Sequence, residues 1–162
     1  MRILGIDPGL ITTGFGVVDV LKTGTVKIVD AGTINPKIKD VFPARIAKVH
    51  QCLTAIIVEH KPEVIVLEKL YAHYNHPNTA CILGHVRGVI CLAAHEQKVE
   101  LVEYSVKRIR QALTGNGNST KLQVQAFIKN LLNIPNATLA LDTSDALALA
   151  LGYAHMKRFK IL

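Results

Sequence analysis

A two-residue period governs the opening stretch from Met1 to Val20, read as a strand, a tight turn and a second strand. In the first strand Ile3, Gly5 and Asp7 fall on one side, with Leu4 and Ile6 on the other. Thr12 to Val20 returns as a second strand, and Thr25 to Ile34 follows the Lys22-Thr23-Gly24 turn as a third. These three are predicted to form an antiparallel meander. The period then changes. Ile46, Val49, Leu53, Ile56 and Ile57 recur at helical spacing between Pro43 and His60, and Pro62 lies just past the predicted helix. Glu63 to Glu68 (EVIVLE) is a short apolar run, predicted as a buried strand parallel to the first and joined to it by a right-handed crossover. A helix is expected from Asn78 to Gln97, a further strand from Val99 to Tyr104, and a short basic helix from Val106 to Thr114. Gly115-Asn116-Gly117-Asn118 breaks the chain before helices at Lys121–Leu132 and Asp142–Lys160. Residues 1–162 show no linker, repeat or low-complexity stretch and are read as a single α/β domain.

Chemistry enters where the strands stop. Asp7 ends the first strand, and Pro8-Gly9 after it has the signature of a type II turn with Gly9 at positive φ. Asp7 either caps that turn or binds a cation; a carboxylate at the end of a buried strand is costly otherwise. A parallel fourth strand would bring Glu68 to the same sheet end, where α/β sheets carry their sites. The plain alternative pairs Glu68 with Lys69 or Arg87. Asp142 and Asp145 open the last helix three residues apart, on one face of its first turn. Capping accounts for one of these two acids better than for both. The apolar run from Ala146 to Leu151 needs this helix buried, which would bring its start beside Asp7 and Glu68. Four converging carboxylates repel unless cations neutralise them, and oxygen-only ligands favour Mg²⁺ or Mn²⁺. Two such ions about 3.5–4 Å apart serve in-line phosphodiester hydrolysis.

Charge distribution adds a substrate class. Of 162 residues, 19 are Lys or Arg and 12 are Asp or Glu, a net charge of +7. No acid occurs from Tyr104 to Leu141, a stretch that carries Lys107, Arg108, Arg110, Lys121 and Lys129. None occurs between Glu68 and Glu96 either, where Lys69, Arg87 and four histidines lie. Such a surface suits a polyanion held by its phosphates, unless it serves solubility alone. Among the histidines, His73 and His76 (H-x-x-H) lack companion cysteines at zinc-ligand spacing and are taken as polar loop residues. Gly84 and Gly88 are expected to pack against the sheet or a second subunit. Cys52, Cys81 and Cys91 have no C-x-x-C spacing and are expected to be small buried hydrophobes in a reducing compartment. No apolar run is long enough for a membrane, and a cytoplasmic location is expected.

Several motifs then fall in order: D-P-G-x-x-x-T-G-x-G-V at Asp7–Val17, Glu68 followed by Tyr71 and Asn75, and L-G-x-x-R-G-V at Leu83–Val89. Tyr104 with G-x-G-x-x-x-K at Gly115–Lys121, and D-x-x-D-A-L-A at Asp142–Ala148, complete the set. In this order the chain resembles the RuvC-type Holliday junction resolvases of bacteria along nearly its whole length. The resemblance implies an RNase H-like fold: a five-stranded mixed sheet, antiparallel 1-2-3 and parallel 1-4-5, flanked by helices. It implies a Mg²⁺-dependent homodimer, two ions per site, that nicks opposed strands of a four-way DNA junction to leave 5′-phosphate and 3′-hydroxyl ends. Asp7, Glu68, Asp142 and Asp145 would be the catalytic, metal-binding acids. Lys121 would contact the scissile phosphate region, with Lys107, Arg108 and Arg110 as further DNA contacts. Tyr71 stands where the family usually has a phenylalanine that stacks on a junction base. A branch-migration motor is the implied partner. Two departures are visible: Arg110 replaces the family's lysine, which changes a point charge into a fixed fork, and the loop from Asn75 to Leu83 is about one residue longer.

Three other functions compete. The G-I-D-P-G hairpin also resembles that of actin-like and sugar-kinase ATPases, but those need two lobes and this chain has room for one. An RNase H-like nuclease acting on RNA, and a dimer that grips junctions without cutting, are the remaining alternatives.

Overall fold

The computed structural model describes residues 1–70, 77–136 and 138–158. Its strands are β1 (Arg2–Asp7), β2 (Thr13–Val20), β3 (Val26–Ile34), β4 (Val64–Glu68) and β5 (Glu100–Tyr104). They form one mixed sheet in the order β3-β2-β1-β4-β5. β1–β2 and β2–β3 are antiparallel and β1–β4 is parallel, as the alternation and the crossover predicted, and β4–β5 is parallel, as the family resemblance implied. Helices α1 (Phe42–His60) and α2 (Pro77–Glu96) cover one face. Helices α3 (Val106–Thr114), α4 (Lys121–Leu131) and α5 (Leu141–Arg158) cover the other.

Period-two alternation decides which side chain meets which layer. Leu4, Ile6, Ile65 and Leu67 enter the core under α1 and α2. Ile3, Val64 and Val66 enter the core under α5, so Asp7, four positions after Ile3, and Glu68, two after Val66, share the α5 face. α5 is buried along its first half, with Ala146, Leu147, Ala150 and Leu151 fully enclosed. Truncating Leu147 to alanine there would cost ~2–5 kcal/mol. The helix lies so close to β1 that a Cβ at Gly5 would sit 2.0 Å from the Ala146 carbonyl oxygen. Among the described residues no helix is long and apolar enough to cross a membrane.

Two expectations fail, and of the two partners expected for Gly84 and Gly88 one is excluded. Gly9 is not at positive φ, so the turn after Asp7 is not type II. The Thr13 hydroxyl holds it instead, donating to the Gly9 carbonyl at 2.7 Å and accepting from the Gly9 N–H at 3.3 Å. Gly9 is needed for space, since a Cβ would meet the Thr12 carbonyl oxygen at 2.2 Å. All three cysteines are free thiols, but Cys81 and Cys91 are exposed, and only Cys52 packs, half-buried, against the core under α1 and α2. Gly84 and Gly88 do not face the sheet. Both lie on the outer side of α2 with open space around them.

Candidate active site

The site is assembled at the carboxyl ends of β1 and β4. Asp7 closes β1 opposite Gly14 of β2, and that glycine is what admits the start of α5. A Cβ on Gly14 would lie 2.0 Å from the Asp142 carbonyl oxygen. Asp142 is thereby carried to the strand end, and Asp145 follows on the next turn of the same helix. Asp7, Glu68 and Asp145 line one cleft of about 100 Å³ together with Lys121 and Arg110. Asp142 does not line the cleft, yet its charge acts on Asp7.

The cleft is short of positive charge. Burial, and then repulsion from Glu68, Asp145 and Asp142, push the Asp7 carboxyl up to about 7. Burial also raises Glu68, against a hydrogen bond from Asp7 that favours its charged form. Lys121 supplies the cation in reach: its Nζ lies 2.5 Å from Asp145 Oδ2, and that bond holds the ammonium above its ordinary range. Placement of Lys121 follows from local sequence. Thr120 caps α4 by accepting from Gln123 N–H, and the Gln123 side chain returns the bond to Thr120 N–H. Lys121 is therefore fixed at the first helical position, with its side chain exposed over the cleft.

The three basic candidates of α3 separate in space. Arg110 faces the acids. Arg108 lies over the Tyr104 ring at 5.3 Å, and Lys107 packs where a Cβ on Gly117 would fall. Tyr71, His73 and His76 lie outside the described residues.

Arg45 has no counterpart in the sequence expectations. From α1 it donates to the Leu10 carbonyl at 2.9 Å and secures the turn that follows Asp7. Arg87 does reach Glu68, but not as an ion pair. Its guanidinium donates to the Glu68 main-chain oxygen and pairs with Glu103, so it makes no direct ion pair with the Glu68 carboxylate, although its charge favours the ionised form. Among the described residues no three His, Cys, Asp or Glu side chains stand close enough to hold a metal ion as placed. Asp145 is turned onto Lys121 and Asp7 onto Glu68. The donors themselves suit a hard divalent cation: carboxylate oxygens only, half-buried and mutually repelling.

A family model described as crossover junction endodeoxyribonuclease RuvC matches residues 3–153. The chain belongs to the RuvC family. A RuvC of Rhodopirellula baltica is 38% identical over 149 residues, covering 92% of this chain and 83% of that protein. One from Alkaliphilus metalliredigens is 38% identical over 162 residues, covering 100% of this chain and 98% of its own. The RuvC fold recurs in the Thermus thermophilus protein captured with a Holliday junction substrate. That structure has a TM-score of 0.89 at 24% identity, covering 99% of this chain and 97% of the other. The yeast mitochondrial Holliday junction resolvase shares the fold at a TM-score of 0.72 and 15% identity, covering 96% of this chain and 78% of the other.

Proposed function

We propose that this chain is a structure-selective endonuclease that resolves four-way (Holliday) DNA junctions in recombination and repair, by two symmetric nicks that leave 5′-phosphate and 3′-hydroxyl ends. The observation that carries the reading is the meeting of Asp7, Glu68 and Asp145, from three distant segments, with Lys121 and Arg110 in one cleft of a RuvC-family chain. Asp7, Glu68, Asp142 and Asp145 would hold two Mg²⁺ ions, with Mn²⁺ as a substitute. Bound there, the ions would acidify the attacking water and offset charge on the leaving oxygen. Arg110 and Lys121 take the phosphate oxygens facing the acids, the Arg as a fork and the Lys as a point charge. Lys107 and Arg108 hold flanking phosphates, and Tyr71 stacks on a base at the branch point.

Two nicks on opposed strands call for two sites related by symmetry, hence a homodimer. The outer face of α2, where Gly84 and Gly88 leave room for another backbone, supports that face as the contact. A cytoplasmic location, a single nuclease domain and a branch-migration motor as partner belong to the same proposal.

The test presents purified protein with a labelled four-way DNA junction, linear duplex DNA and duplex RNA, each with and without Mg²⁺. Paired nicks in the junction alone, and only with the metal, are expected. Preferential cleavage of RNA would replace this function with a ribonuclease. Tight junction binding without nicking would leave a binding module.

A further inference from the structure

We infer that Arg87 is a positioning residue for the active site: its guanidinium fixes the main chain of Glu68 where the sheet's own hydrogen bonding stops, and so aims the Glu68 carboxylate into the cleft. The inference rests on the proposed role of Glu68 as a cation-binding acid. β1 and β4 are in parallel register as far as Ile6 opposite Leu67. Lys69 N–H donates to the Tyr104 carbonyl at 2.9 Å, so Lys69 turns its backbone groups toward β5 and Glu68 turns its own toward β1. Continuing the β1–β4 register by one residue sets Glu68 beside Asp7, and the N–H due to reach the Glu68 carbonyl is that of residue 8. Residue 8 is proline and has none. The turn that presents Asp7 thus leaves the Glu68 carbonyl without its ladder donor.

Arg87 fills that place. It reaches over from α2, its side chain only 11% exposed, and one guanidinium nitrogen donates to the Glu68 main-chain oxygen. The other pairs with the carboxylate of Glu103, near the end of β5. The same side chain lines a second cleft with Asp7, Pro8 and Glu68. A planar fork satisfies both acceptors at once, which an ammonium cannot do in fixed geometry. Because the bond goes to the main chain, the fork orients Glu68 without neutralising its carboxylate.

Four variants test this: Arg87→Met, Arg87→Lys, Glu103→Gln and Glu68→Gln. Each is measured for single-turnover nicking of a four-way junction across Mg²⁺ concentration, for junction affinity in EDTA, and for Tm in EDTA and with Mg²⁺ but no DNA. Arg87→Met is expected to slow nicking about 10-fold or more and to raise the Mg²⁺ midpoint several-fold, with junction affinity within about twofold. The Mg²⁺-induced rise in Tm should shrink with it. Arg87→Lys should fall between, and it carries the test if Arg87→Met does not fold. Glu103→Gln keeps the bond to Glu68, so its nicking and Mg²⁺ midpoint should stay within about twofold of the parent. Arg87 variants that lower Tm in EDTA yet leave the nicking rate, the Mg²⁺ midpoint and the Mg²⁺-induced Tm rise unchanged would overturn the inference and leave Arg87 a structural residue. Glu68→Gln separates the two levels. Full activity in that variant would remove the role of Glu68 itself, whereas its inactivity beside unaffected Arg87 variants removes only the positioning.

Discussion

The two ends of the sheet handle charge in opposite ways. At the end where β1 begins, Asp19, Asp30 and Glu63 each have a partner. Arg2 forks onto Asp19 with two bonds of 2.8 Å and donates to the His60 carbonyl at 2.8 Å. His60 meets Asp30 at 3.0 Å, and Glu63 accepts from Arg2 N–H and lies 3.5 Å from the N-terminal ammonium. The Arg2 bond accordingly holds Asp19 below the usual carboxylate range. At the end where β1 stops, the acids outnumber the cations near them, and Asp7 is driven up to about 7. The first arrangement ties strands and a helix together. The second keeps carboxylates in repulsion that only an added cation relieves, which is the cost of a site built to bind one.

Asp7→Asn breaks the contrast most sharply. Nicking should fall on the order of 100-fold or more while junction affinity in EDTA stays within about twofold, because one charge is lost and little volume. A gel assay of cleavage beside a binding titration reads both. Lys121→Ala should slow nicking about 10-fold and reduce the slope of log affinity against log salt by about one, as befits one phosphate contact. An unchanged slope would remove Lys121 from the DNA.

The pH dependence of stability sharpens the comparison further. In metal-free protein Asp7 keeps its proton up to about pH 7, whereas the unfolded chain releases it near the ordinary carboxylate value. The native state therefore binds more protons across that window, and this group's contribution to stability falls as pH rises from about 4 to about 7. Thermal unfolding in EDTA should show the decline, Asp7→Asn should flatten it, and Mg²⁺ should raise Tm more above this window than within it. Asp19 has the opposite sign: its stabilisation is present above the unfolded carboxylate pKa and is lost as pH falls through the lowered native one. Asp19→Asn is the smallest effect, a Tm lower by about 1–4 °C for a half-exposed pair, with the nicking rate unchanged.

Local chemistry predicted the acids well and their surroundings unevenly. Asp7 and Glu68 could be assigned to one end of the sheet because each closes a strand and the helical crossover makes the two strands parallel. The type II turn at Pro8-Gly9 was a reasonable inference from the dipeptide, but the Thr13 hydroxyl four residues on holds a different turn. Cys81 and Cys91 looked like core residues by type; α2 is apolar on most sides, so its sequence alone does not say which side is out. Lys107, Arg108 and Arg110 were equivalent as a basic run until α3 docked with Arg110 toward the cleft.

By itself, then, the sequence determined the elements, the antiparallel meander with a fourth strand parallel to the first, the strand-end acids and the motif order that marks the family. These depend on periodicity and on backbone limits at Pro and Gly that act within a few residues. Only the tertiary structure decided that Asp142 arrives beside Asp7 through the space left at Gly14, and that Lys121 bridges to Asp145. It alone decided that Arg87 grips the Glu68 backbone rather than its carboxylate. Those outcomes depend on the depth and rotation at which helices settle on the sheet. Side-chain packing between distant segments sets both, and no short stretch of chain encodes them.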